Sequence, residues 1–424
     1  MAEPWPNLPP HESPPLSQNP EACSILKTGE NDSVHVILLG NYLPDRQESM
    51  QRYAQMLSEL LTKAGHQIET VRPEPFFGRL RPSDRGLGKW LGYLDKFILF
   101  PARMRSHIRR RKQEGAVLVH ICDHSNAMYT RWLEDVPHLV TCHDLLAIES
   151  ARGLIPEHRT GWTGRVLQGW ILSGLRRAAF VACVSDETRR GLIALAPELE
   201  KRSTTIENGL PYPFAPVPPD EARRRLAGLS SESGFNPEKD RFVLHVGGNQ
   251  WYKNRPGVIR IFSRLCAPRP DLSQGLKLVM AGKAPDEELL RVVEEEKLAG
   301  KVVFTGTLTD EPLAALYSLA EALIFPSLRE GFGWPIIEAQ ACGCPVVTSN
   351  RPPMAHVAGP AALLADANNL DEFAICVARI LGETPENRHQ RKEEARRHAL
   401  QYDPQVFLKR ILLVYSDLQN KLLF

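Results

Sequence analysis

The segment Phe325-Pro-Ser-Leu-Arg-Glu-Gly-Phe-Gly-Trp-Pro-Ile-Ile-Glu-Ala-Gln-Ala-Cys-Gly-Cys-Pro-Val-Val-Thr348 reads as a strand, a glycine-punctuated loop, a short helix and another strand. Pro335 suits a first helical turn and Gly343 the far end, the usual asymmetry of helix punctuation. Gly331 and Gly333 permit close backbone approach. The loop amides and the helix start then converge on one spot, where free N–H groups and the helix dipole favour an anion. Glu338 is expected in the first helical turn, placed to accept hydrogen bonds from ligand hydroxyls. On residues alone, Glu330 and Glu338 read equally well as surface carboxylates beside a tight turn.

Working outward, the same alternation recurs. Short apolar runs at Phe242–Val246, Leu276–Met280, Val302–Phe304, Leu323–Phe325, Val346–Thr348 and Ala362–Leu364 are separated by helical or irregular stretches. Near-continuous apolar strands, buried on both faces, are what a parallel sheet requires. An earlier series begins at Val34–Leu39. A helix follows, with Met50, Tyr53, Leu57, Leu60 and Leu61 at helical spacing and Gly65 as its stop. Strands are expected at Gln67–Val71, Val117–Ile121, Leu139–Cys142 and Phe180–Val184. Between the two series lies Pro211-Tyr-Pro-Phe-Ala-Pro-Val-Pro-Pro219, which can donate little to any ladder. The expected fold class is α/β, with two doubly wound Rossmann-like domains facing across a cleft. The expected boundaries are a disordered tail over 1–33, a first domain over 34–215 and a linker over 216–240. A second domain over 241–400 and a C-terminal helix over 401–424, returning to the first domain, complete the division.

The bulk numbers agree with this plan. A chain of 424 residues exceeds what one hydrophobic core usually serves. With 43% hydrophobic and 24% charged residues it is ordinary for a globular protein, and a net charge of +2 argues against a dedicated nucleic-acid binder. No run approaches the roughly 18–20 apolar residues of a membrane span, and no signal-peptide pattern opens the chain, so a cytoplasmic location is expected. The eight cysteines fit it. Cys122, Cys142 and Cys183 sit in apolar runs, and Cys342-Gly-Cys344 has no second pair or nearby His to complete a zinc site.

The Phe325–Thr348 segment resembles the signature of family 4 glycosyltransferases of the GT-B fold: Glu330, seven residues, then Glu338, within E-G-F-G-x-x-x-x-E-A-x-A-x-G-x-P-V. His245-Val-Gly-Gly-Asn-Gln-Trp-Tyr-Lys-Asn254 resembles the family's strand-to-helix phosphate loop. Val279-Met-Ala-Gly-Lys283 and Phe304-Thr-Gly-Thr-Leu308 resemble the loops flanking the nucleotide base, and Thr141-Cys-His-Asp-Leu145 resembles its T-x-H-D motif. The resemblance implies a catalytic set of His143, Glu330 and Lys253. The donor would be held by Glu338 at the ribose, by the backbone at Gly331, Phe332 and Gly333, and by Gly248, Asn249, Lys283 and Leu308. For Lys283 a solvated lysine is the competing reading. Asp144 either orients the His143 imidazole or caps the following turn.

The acceptor side is expected at Gly40 and Asn41, in Gly40-Asn-Tyr-Leu-Pro-Asp45. Three departures stand out. Gly248 occupies a position where many relatives carry Arg, leaving Lys253 as the one clear cation of its loop. The loop after the first strand lacks a Gly-Gly pair, and Ala355-His356 stands where relatives often show Pro-Glu.

The implied reaction moves a hexose, of glucose or mannose type, from a nucleotide sugar such as UDP-glucose or GDP-mannose to a glycan or lipid-linked acceptor, with retained anomeric configuration. The matched motifs offer no second carboxylate to act as nucleophile. No Asp-x-Asp is present, so neither a metal nor a further cofactor is expected. Alternatives sharing such a cleft are a sugar-nucleotide epimerase or hydrolase, a pyridoxal-dependent phosphorylase lacking its lysine here, or a catalytically decayed binding homologue.

One further stretch concerns a partner. Over 89–112, Trp90, Leu94, Phe97, Ile98, Met104 and Ile108 fall near helical spacing, interleaved with Lys89, Lys96, Arg103, Arg105, Arg109, Arg110, Arg111 and Lys112. Such a stretch can lie on an anionic membrane surface at the cytoplasmic face. Equally, its apolar stripe can pack inward with solvated cations, and Pro101 favours two short helices.

Overall fold

The computed structural model describes residues 35–80, 86–229, 234–267 and 270–420. The expected disordered tail over 1–33 and part of the 216–240 linker lie outside the described residues. Two six-stranded sheets, parallel throughout, are the frame. The first comprises β1 (His35–Leu39), β2 (Gln67–Val71), β3 (Val117–Ile121), β4 (His138–Cys142), β5 (Phe180–Cys183) and β6 (Ser203–Thr205), in spatial order 2-1-3-4-5-6. The second comprises β7 (Arg241–Val246), β8 (Leu276–Ala281), β9 (Val302–Gly306), β10 (Leu323–Phe325), β11 (Val346–Ser349) and β12 (Leu363–Ala365), in order 12-11-10-7-8-9. Each is a doubly wound Rossmann-like sheet.

The strands form where apolar runs expose no polar face. Every residue of β3, β4 and β10 is buried, as sheets covered by helices on both sides require. β6 went unnoticed in the sequence because Ser203-Thr-Thr205 is short, polar and at a sheet edge. The helix after β1, α1 (Glu48–Lys63), buries Tyr53, Leu57, Leu60 and Leu61, and Gly65 follows at φ +89°. At that angle a side chain would be strained, so the chain turns there into β2.

Next come α2 (Gly86–Leu94) and α3 (Phe100–Glu114), joined by a π-helical turn over Asp95–Leu99. Pro101 therefore does not divide the stretch into two separate helices. A wide turn precedes it and absorbs the missing N–H, and the axis continues. Later elements are α4 (Trp162–Arg177), α5 (Pro219–Leu226), α6 (Arg255–Cys266), α7 (Asp310–Leu319), α8 (Trp334–Ala341) and α9 (Pro404–Asn420). α5 starts at the end of the Pro-rich stretch because Pro is at home in a first helical turn. It buries Ala222 and Leu226 and packs against α7.

α9 lies on α1. Tyr415 and His120 of β3 meet at 2.7 Å through the hydroxyl and Nδ1, and the Phe407 and Tyr53 rings meet edge-on at 5.9 Å. One buried apolar cluster runs from β1 through α9 and on into the second sheet's helices, tying the two units together.

Candidate active site

In open α/β sheets the ligand crevice lies beyond the strand C-termini, where neighbouring strands send their connections to opposite faces. Here that places the crevice at the loops after β1 and β3 in the first sheet, and after β7 and β10 in the second. These loops carry Gly40–Asn41, Cys122–Asp123, Gly247–Lys253 and Pro326–Gly333. Beside the crevice, the segments after β4 and β5 touch the second set. Thr188 Oγ1 donates to Gly331 O at 3.4 Å, and a Cβ on Gly331 would run into the His143 carbonyl oxygen. Only glycine allows the two backbones so close.

At the centre, Lys253 Nζ donates to both oxygens of Glu330, at 2.7 and 2.9 Å. Phe325 and Tyr252 stand beside the ammonium, with ring centroids at 5.4 and 5.7 Å. Leu328 N donates to Tyr252 O at 2.7 Å and Asn254 Nδ2 to Pro326 O at 3.2 Å, so the two loops hold one another in register. Gly333, at φ +108°, ends the loop and caps α8. The Phe332 side chain turns away to pack on Tyr402, leaving only its backbone at the loop.

α8 begins at Trp334, which puts Glu338 at its fifth residue, in the second turn rather than the first. It points inward and is 1% exposed. Tyr317 donates to its Oε2 at 3.0 Å, and Arg52 of α1 donates to its Oε1 at 3.1 Å. Burial pushes the carboxyl pKa up, with Arg52 and Tyr317 pulling against it.

His143 is buried after β4, and its Nε2 lies 2.8 Å from Cys122 O. A carbonyl partner requires N–H there, so the neutral ring carries its lone pair on Nδ1. Burial lowers its pKa and keeps it neutral. Asp144 caps the turn, accepting from Leu146 N at 3.1 Å, and the capping reading is the one realised.

On the first sheet's side, Asn41 donates to Asp123 Oδ2 at 2.6 Å and bonds Gln47 and Asn126. Asp123 meets His124 at 3.2 Å. Gly40 N donates to Val71 O, continuing the ladder. Asp123 and His124 went unremarked in the sequence. The available signal was an Asp-His pair directly after an apolar strand.

Arg255 also went unremarked. It is the first residue of α6, 2% exposed, and Nη1 donates to Asn249 and to Lys283 O at 2.9 Å. Lys253 is the one cation within its loop, but Arg255 at the start of the next helix binds Asn249 to the Lys283 turn. Asn249 also donates to Ala284 O at 3.0 Å. The Lys283 side chain is exposed, Leu308 packs against the apolar cluster, and Gly248 lies beside Gln250. His143, Lys253, Glu330 and Gly331 are therefore brought together. Asn41 binds Asp123, Gly40 lies against Val71, and Glu338 is engaged by α1.

Two family profiles match. "Glycosyl transferases group 1" covers residues 229–398 and "Glycosyltransferase Family 4" covers residues 50–211. Curated relatives include the serotype-specific mannosyltransferase WbdA of Escherichia coli, 29% identical over 51% of this chain and 26% of its own length. O-antigen chain mannosyltransferase B of Escherichia coli is 28% identical over 52% of this chain and 56% of its own length. The chain thus spans about a quarter to a half of the relatives it matches. Among solved structures, sucrose-phosphate synthase (tll1590) from Thermosynechococcus elongatus superposes with a TM-score of 0.70 at 20% identity, covering 92% of this chain and all of that one. Anabaena Alr3699/HepE, in complex with UDP and glucose, gives 0.66 at 16% identity, over 90% of this chain and 99% of that one. The profiles lie one on each sheet, and the chain belongs to family 4 of the GT-B glycosyltransferases.

Proposed function

We propose that this chain transfers a hexosyl group, of glucose or mannose type, from a nucleotide sugar to a glycan or lipid-linked acceptor, with retention. The observation that carries the reading is the Lys253–Glu330 pair at the glycine loop, where Gly331 abuts the His143 backbone. The names of the mannosyltransferase relatives and the UDP and glucose in the HepE structure support a nucleotide-sugar donor. UDP-glucose and GDP-mannose are the donors to try first.

In this reading the diphosphate sits over the Gly331–Gly333 amides and the start of α8, and Lys253 turns from Glu330 towards it. Glu330 then meets the sugar hydroxyls, Glu338 the ribose, and Lys283 and Leu308 the region of the base. Neutral His143 faces the sugar from the first sheet. The acceptor hydroxyl, near Gly40 and Asn41, attacks C1 on the face from which the diphosphate leaves. The C1–acceptor oxygen bond forms as the C1–phosphate oxygen bond breaks, and the acceptor proton passes to the departing phosphate oxygen. Lys253 and the α8 amides stabilise the charge that develops there.

We assign the reaction no metal. In the proposed reaction Lys253 and the α8 amides supply the positive charge that a metal would otherwise bring to the diphosphate.

A panel of nucleotide sugars screened for protection against thermal unfolding tests the reading, because a bound donor stabilises the fold according to its occupancy. One donor should protect and then turn over on an added acceptor with EDTA present. Protection by none would overturn the proposal. Release of free sugar without an acceptor would favour an epimerase or hydrolase, and protection without turnover a binding homologue.

A further inference from the structure

Large apolar side chains exposed to water concentrate on one part of the first unit. Along α2 and the π-helical turn, Trp90, Leu94 and Ile98 fall four residues apart, with Trp90 57% and Ile98 62% exposed. Along α4, Trp162, Val166 and Trp170 repeat the same spacing, and Trp162 is 77% exposed. Residues four apart share one face of a helix, so each helix presents a stripe. The rings of Trp90, Tyr93, Phe97 and Trp170 touch in succession, at 5.6, 5.3 and 5.6 Å, and join the two stripes. Phe76 and Leu80, 67% and 76% exposed, extend the surface on the preceding loop. That loop is fixed to the same π-helical turn: Asp95 accepts hydrogen bonds from the N–H groups of Phe76, Phe77 and Gly78.

The exposed charges along the helices themselves are of one sign, while Glu74 and Glu157 stand exposed at the edge of the surface. α4 contains no Asp or Glu, and the one acid between Gly86 and Lys112 is Asp95, which is buried. Exposed cations flank the stripes at Arg79, Arg105, Arg159 and Arg165. We infer that the paired stripes of α2 and α4 are a docking surface for an anionic lipid bilayer, with their Trp side chains at the headgroup level. A contiguous apolar face of this extent marks an interaction site, and Trp with flanking Arg is the composition that suits an interface apolar on one side and wet and anionic on the other.

This keeps the first part of the membrane surface expected over 89–112 and replaces the rest with α4. Phe100, Met104 and Ile108 are buried in the first unit's core. Lys96, Arg103, Arg111 and Lys112 are paired with Asp45, Glu74, Glu69 and Asp135. The face lies beside the acceptor loop, because Tyr42 donates to Asp95 at 3.0 Å and Lys96 binds Asp45. Bilayer docking would present a lipid-linked acceptor there, a consequence that rests on the proposed function. The docking itself does not.

The test is flotation of the full chain with phosphatidylcholine vesicles, with and without phosphatidylglycerol. The chain should float with the anionic vesicles and its Trp emission should shift to shorter wavelength. Raised salt should weaken but not abolish binding, because screening leaves the apolar part intact. The double variant Trp90→Glu, Trp162→Glu should bind on the order of tenfold more weakly or worse, while Arg103→Gln, on the ion-paired side, should float unchanged. Calorimetry with nucleotide should give the same affinity for all three proteins. Absence of flotation, or a double variant that floats as well as the parent, overturns the surface. Self-association that the double variant abolishes, without any lipid binding, assigns the face to a second copy instead. Flotation without nucleotide binding would leave the surface standing and remove the catalytic reading.

Discussion

Arg52 reaches from the first unit to Glu338 of the second: its Nη2 donates to Glu338 Oε1 at 3.1 Å and to Asp310 Oδ1 at 2.7 Å. With Tyr317 on the other oxygen, a carboxylate that is 1% exposed has both oxygens engaged, and one of its partners belongs to the opposite side of the crevice. A ligand hydroxyl that binds Glu338 has to share it with Arg52 or displace it. In the proposed reading, domain contact and donor binding therefore meet at this carboxylate.

Glu338→Gln keeps the shape and removes the charge, and charge-assisted hydrogen bonds are roughly twice as strong as neutral ones. Nucleotide affinity should fall about tenfold while the fold persists. Unchanged binding by calorimetry would take Glu338 out of the donor site. Arg52→Ala probes the same group through pH. Burial already holds the Glu338 pKa above its ordinary 4.5, and removing the cation lifts it further. Ribose hydroxyls donate to the ionised form, so affinity is lost as pH falls through that pKa, and the loss should begin at higher pH in the variant. Coincident pH profiles would sink this assignment.

Gly331→Ala forces the loop away from the His143 carbonyl, since its Cβ has nowhere to go. Misplacement of a reacting group by about 1 Å can cost on the order of 100-fold. Turnover should fall by about that factor with only a small change in melting temperature. An active Ala variant would mean that the two loops do not need this approach.

Much of this was legible in the sequence. The strand runs are apolar because both sheet faces are covered, and the glycine loop shows itself through spacing that only a tight turn with close approach requires. Glu330 and Lys253 could be named only because those loops resemble the family's. Arg52, Asp310 and Tyr317 could not, because their link to Glu338 spans two sheets and no local period encodes it. Arg255 was hidden for a different reason: an Arg at a helix start reads as a surface charge, and here it is buried under its own loop. The stripe on α4 went unremarked: the spacing of Trp162, Val166 and Trp170 is equally that of a core face, and only their exposure distinguishes the two.

Asp123 and His124 should give stability a distinctive pH dependence. Burial works against both charges, but each group outweighs it for the other: the Asp123 pKa falls below 3.8 and the His124 pKa rises above 6.5. The Asp123 contribution is present above 3.8 and lost as pH falls through its lowered value. The His124 contribution is complete below 6.5 and lost as pH rises through its raised value. Asp123→Asn should therefore destabilise by roughly 1–3 kcal/mol between these limits, and by less in alkali. Thermal melts at several pH values check this, and a difference that grows as pH rises above 6.5 would contradict it.

Lys253 has two candidate duties, and they can be separated. It neutralises Glu330, which is largely buried, with two hydrogen bonds of 2.7 and 2.9 Å. In the proposed reaction it also stabilises the leaving diphosphate. Lys253→Met removes both, leaving a carboxylate without its cation, at a cost of about 3–5 kcal/mol if burial is maintained. Adding Glu330→Gln removes the orphaned charge, so the double variant should recover most of the lost stability. Activity should not follow. Loss of a preorganised charge at the leaving group costs about 100- to 1000-fold in kcat, and nothing in the double variant restores it. Melting temperature and kcat should thus part company across the three proteins. If kcat returns together with stability, Lys253 serves only to hold Glu330, and the developing charge on the diphosphate must be met by the α8 amides.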